Sequence, residues 1–152
     1  VPDTNLPSSV FRRAVIALNG GPTDARVVKL ISEVGRPIKA ELVAVHVVEI
    51  DWSQPLDADI AGRSDEVQRV LDIAEEVAEE SKMRLETVLL QARDAGAALV
   101  DEATERGADL LVVGLPYRTK FGGDFAIGRT IRYILKNAPC AVWVVREPIP
   151  EV

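Results

Sequence analysis

The residues best placed to do chemistry cluster between positions 114 and 139, GLPYRTKFGGDFAIGRTIRYILKNAP. Five cations (Arg118, Lys120, Arg129, Arg132, Lys136) stand there against one anion, Asp124, so residues 114–138 carry +4. The whole chain is −6, which leaves −10 for the remainder. The segment follows a short apolar run, Leu110-Leu111-Val112-Val113, that reads as a buried strand ending at Gly114. A glycine-bearing loop then leads to a helix opening at Gly128. Such a helix start offers unpaired backbone N–H groups and the positive end of the helix dipole, and both suit a phosphate. A positive patch of this kind on an acidic chain is an anion site.

The rest of the chain removes several chemistries. One histidine, His46, and one cysteine, Cys140, give no zinc set and no internal disulfide. The lone thiol points to a reducing compartment, and the expected localisation is cytoplasmic. An overall pI near 4.9 opposes nonspecific nucleic-acid binding. No apolar run approaches the roughly 18–20 residues that span a bilayer, so direct membrane insertion is not expected. His46 lies inside an apolar strand and reads as a core histidine. No base–nucleophile pair emerges, and no catalytic residue is assigned. Neither a P-loop lysine motif nor a dinucleotide glycine fingerprint is present. The turn Asn19-Gly20-Gly21-Pro22-Thr23-Asp24 faintly resembles the Ser-Gly-Gly-x-Asp-Ser loop of ATP pyrophosphatases, but its first residue differs and its acid comes one place late.

The elements that must position the loop follow from hydropathy. Residues 1–11 carry two prolines and small polar residues, and read as a leader or linker. Arg13–Leu18 is a strand closed by Asn19-Gly20-Gly21. Val27, Val28, Ile31 and Val34 recur at helical spacing, and Gly35 with Pro37 stops them. Leu42–Val48 is a strand apolar on both faces. Residues 51–64 read as a polar surface excursion beginning with Asp51-Trp52. A helix over Glu66–Lys82 has its acids on the solvent side. A strand over Leu85–Leu90 follows, then a helix begun near Asp94, running through Arg106 and closed by Gly107. Asp109–Val113 is the fourth strand, Gly128–Lys136 the fourth helix and Ala141–Val145 the last strand. This alternation predicts an α/β fold, a single domain with an open five-stranded parallel sheet flanked by helices. Ligands of such sheets sit at the strands' carboxyl ends, here 18–21, 47–49 and the loop 114–130.

On these landmarks the chain resembles the universal stress protein (UspA-like) family over residues 12–147, with 12–152 as the domain. The turn ALNGGPTD, the strand AVHVVE, GADLLVVG before the loop and NAPCAVWVVRE at the end carry the likeness. The resemblance implies a three-layer α/β/α fold of the adenine nucleotide alpha hydrolase-like type, a stress-response role, and ATP or another adenine nucleotide as ligand, with or without Mg²⁺. It also implies a homodimer through Ala141–Val145. In the ATP-binding branch the loop reads Gly, two residues, Gly, nine residues, Gly, then Ser or Thr. Gly114 matches the first glycine and Gly128 the third. Tyr117 replaces the second, ten residues (118–127) precede Gly128, Arg129 replaces the hydroxyl, and Asn19 stands where an aspartate is common.

The candidate ligand residues are accordingly Leu18, Asn19, Gly20, Val47, Val113, Gly114, Tyr117, Arg118, Gly128, Arg129 and Thr130. Tyr117 loses a glycine's close backbone approach but offers a ring to a base or ribose. Arg129 supplies a forked, charged donor to phosphate, and Thr130 still offers a hydroxyl. Arg118 and Lys120 read either as phosphate contacts or as solvated loop charges, and Gly122-Gly123 as loop flexibility. Val47 matches the position that packs on adenine in relatives, or else fills core. Two functions stay open. One is a nucleotide-binding regulator with at most slow, incidental ATP hydrolysis. The other is a dimeric interaction module that has lost the nucleotide, including the cytoplasmic regulatory domain of a transporter.

Overall fold

The computed structural model describes residues 10–57, 64–117 and 127–149. Among the described residues nine elements alternate: β1 (Arg13–Leu18), α1 (Thr23–Gly35), β2 (Glu41–Glu49), α2 (Ser64–Glu80), β3 (Leu85–Ala92), α3 (Ala95–Glu105), β4 (Leu110–Leu115), α4 (Arg129–Asn137) and β5 (Ala141–Arg146). The strands form one parallel sheet in the order β3-β2-β1-β4-β5. The expected fold class is the one observed.

Period-two alternation of apolar side chains divides the core between the two faces of the sheet. Ala14, Ile16 and Leu18 of β1, with Leu42, Ala44, Leu110 and Val112, pack against Val27, Val28 and Ile31 of α1 and Leu71, Ala74 and Ala78 of α2. Val15, Val43, Val45, Leu111 and Val113 face the other way, onto Leu99, Val100 and Ala103 of α3 and Ile131 and Ile134 of α4. Burying both faces explains why the central strands read as unbroken apolar runs. The chain steps outward from β1 to β3 with helices on one face, then outward from β4 to β5 with helices on the other. The direction reverses between β1 and β4, the place at which open parallel sheets hold ligands in a crevice.

Most element limits fall within two residues of the expected ones. Helix α2 stops at Glu80 because Lys82 turns to φ 56°, and the Met83 N–H closes back on the Ala78 carbonyl. Strand β4 runs past Gly114 to Leu115, which registers with Arg146 and accepts the Glu147 N–H. Asp94 caps α3 as expected, its carboxylate accepting the Ala97 N–H at 3.0 Å.

Candidate nucleotide site

The turn after β1 is satisfied from within. Gly20 takes φ +84°, a conformation glycine adopts at little cost. That turn aims two backbone donors at Asp24, whose carboxylate accepts the N–H of Asn19 at 2.9 Å and of Gly20 at 2.8 Å. The third donor, the Gly21 N–H, goes to Asn19 Oδ1 at 2.7 Å. Asp24 is buried, and desolvation holds its carboxyl above the ordinary 3.8 against the lowering effect of those two backbone bonds. Beneath the turn, His46 Nδ1–H donates to the Leu18 carbonyl at 3.1 Å, which satisfies the histidine as a strand residue.

Across the crevice, Gly114 lies in β4 against the start of α1. A Cβ there would come within 2.9 Å of Thr23 Cγ2 and 3.1 Å of Val27 Cγ2. The glycine therefore lets α1 approach the sheet closely. Just beyond β4, the Tyr117 N–H donates to Glu147 Oε1 at 2.8 Å, while Glu147 Oε2 accepts the Thr23 hydroxyl at 3.1 Å. The Tyr117 ring lies 5.5 Å from the Arg146 guanidinium. Three segments far apart in sequence thus meet at one half-buried carboxylate.

Helix α4 opens differently. Its N-cap, Gly128, is extended (φ −74°, ψ 166°). Among the described residues no side chain caps the first N–H groups of α4. Arg129 begins the helix and reaches Glu49 at the end of β2, with Nη2 3.2 Å from Oε2 and 3.4 Å from Oε1. Glu49 Oε1 also accepts the Ala95 N–H at the start of α3, at 3.2 Å. Val47, two residues back, is packed against the α3/α4 core, and Leu18 and Val113 are buried.

Of the expected ligand residues, Leu18, Asn19, Gly20, Val47, Val113, Gly114, Tyr117, Gly128, Arg129 and Thr130 all come to the strands' carboxyl ends. Arg118, with Lys120 and Gly122-Gly123, lies outside the described residues. Three carboxylates were not among the expected site residues: Asp24, Glu49 and Glu147. Trp52 is 82% exposed and stacks on Arg93, whose carbon centre is 4.9 Å from the ring. Cys140 is half-buried, and desolvation raises its thiol above 9.0, which suits an inert packing residue.

A family model, the universal stress protein family, matches residues 11–146. The chain belongs to the universal stress protein family. Universal stress protein MJ0531 of Methanocaldococcus jannaschii is 26% identical to it over 149 residues, covering 94% of this chain and 86% of that one. The sensor protein KdpD of Mycobacterium tuberculosis is 29% identical over 136 residues, covering 90% of this chain but 14% of the sensor. A universal stress protein of Archaeoglobus fulgidus, solved in complex with dAMP, superposes with a TM-score of 0.69 at 19% identity, covering 90% of this chain and 98% of that one.

Proposed function

We propose that this universal stress protein binds an adenine nucleotide at the carboxyl ends of β1, β2 and β4 and serves as a cytoplasmic regulator. The observation that carries this reading is the start of α4, where among the described residues no side chain caps the helix and Arg129 supplies a guanidinium. Helix-start N–H groups, the helix dipole and a forked cation act together on a phosphate. Val47, half-buried near the end of β2, supplies an apolar side for the base. The dAMP bound to the Archaeoglobus fulgidus relative supports an adenine ligand. Mg²⁺ carried in with the nucleotide would offset part of the phosphate charge. A regulatory role fits His46, the only histidine, being engaged with Leu18 O inside the sheet.

The protein acts as a homodimer through β5 in this reading. Among the described residues β5 pairs only with β4, and its Val144 is 38% exposed. Pairing with a twofold mate covers such an edge.

A second reading, an interaction module without nucleotide, draws support from the turn after β1, whose three N–H donors are all used internally. The KdpD match favours an appended regulatory domain as the setting for either reading.

Calorimetric titration with ATP, AMP and cyclic AMP, each with and without Mg²⁺, tests the choice. Saturable binding of one nucleotide at micromolar concentration is the expected result. Flat titrations on folded protein favour the interaction module.

A further inference from the structure

We propose that Glu49 is an internal competitor for the phosphate at Arg129 and sets the affinity of the nucleotide site. The inference rests on the nucleotide-binding reading above and assigns a role to a residue at the rim of that site.

Glu49 is tied at two points. The Ala95 N–H holds Oε1 at the start of α3, and Arg129 Nη2 approaches both oxygens. The backbone contact keeps the carboxylate at the mouth of the crevice when the arginine turns away, because the start of α3 is fixed by the Asp94 cap and by Gly96 packed on Tyr133. The pair itself is exposed, 74% for Arg129 and 41% for Glu49, so solvent weakens it and a ligand can displace it. A phosphate arriving at α4 must draw Arg129 from Glu49 or share it, and in both cases a fixed negative charge stays beside the ligand. Two costs follow, the lost ion pair and the repulsion. Both disappear when the carboxylate is neutralised.

Glu49→Gln isolates these costs, because the amide oxygen still accepts from Ala95 while the charge is gone. AMP affinity is measured for the wild type, Glu49→Gln, Arg129→Ala and the double variant. Expected is a gain of about two- to fivefold in Glu49→Gln, the size of an exposed ion pair. In the Arg129→Ala background the ion-pair part of the gain is lost and only the repulsion is relieved, so the gain should shrink. An unchanged or weakened affinity in Glu49→Gln overturns the proposal while leaving nucleotide binding intact. A gain that persists undiminished without Arg129 also overturns it, since Glu49 then acts only as a distant charge. If no variant, the wild type included, binds AMP or ATP, the nucleotide-binding reading itself falls. Should Glu49→Gln fail to fold, Glu49→Ala removes the same charge and is read in the same cycle with Arg129→Ala.

Discussion

Gly114 and Thr23 stand so close that a single added methyl group would come 2.9 Å from the threonine Cγ2. The family pattern places this glycine first in a phosphate loop, yet its local task is packing, since it seats the first turn of α1 on β4. Gly114→Ala is expected to lose about 1–3 kcal/mol of stability through overpacking, read from urea unfolding midpoints. A loss of nucleotide binding at unchanged stability would instead give Gly114 a direct ligand role.

Ser32 presents the opposite case. Its hydroxyl is fully buried within α1 and has no hydrogen-bond partner among the described residues. Alanine removes an unsatisfied polar atom and favours the helix. Ser32→Ala should raise stability by about 1 kcal/mol, seen as a higher denaturant midpoint at constant slope.

Asp24 gives a pH signature. Its folded carboxyl titrates above the ordinary 3.8, so the folded state holds the proton more tightly than the unfolded chain does. The resulting stabilisation is complete below 3.8 and is lost as pH rises through the folded value. The stability difference between wild type and Asp24→Asn should therefore shift in favour of the wild type on acidification. Asp51, held below its ordinary value chiefly by a Ser53 backbone hydrogen bond, contributes with the opposite sign. For that reason the paired difference, and not the wild-type curve alone, is the diagnostic. Urea titrations between about pH 3.5 and 7 measure it.

Glu147 serves two donors, the Thr23 hydroxyl and the Tyr117 amide. Glu147→Ala leaves the buried Thr23 hydroxyl unpaired, a cost of about 1–3 kcal/mol. It should also speed hydrogen exchange at the Tyr117 amide relative to amides within β4. Equal exchange at Tyr117 in both proteins would show that the backbone there is held by other contacts.

Much of the fold was legible from local pattern. The apolar run 42–48 announced β2, the spacing of Val27, Val28 and Ile31 announced α1, and Asp94 and Gly128 marked helix starts. These signals are short-range, since each depends on side-chain period or on a cap. The exact end of α2 was not legible, because Lys82 adopts a left-handed conformation that its residue type does not advertise. The site was half legible for the same reason. Glycines, cations and the strand ends could be placed, whereas the pairs Arg129–Glu49 and Thr23–Glu147 span 80 and 124 residues. Such contacts exist only once β2 and β5 take their places in the sheet order. Asp24 was visible as a helix start, but its service to the preceding turn depends on Gly20 at positive φ.

The position of Glu147, directly after the sheet's outermost strand, gives that strand a second duty. Its main chain is hydrogen-bonded to Leu115 while its side chain grips the start of α1 and the start of the loop. The edge strand, the first turn of α1 and the exit from β4 are thereby joined through one side chain.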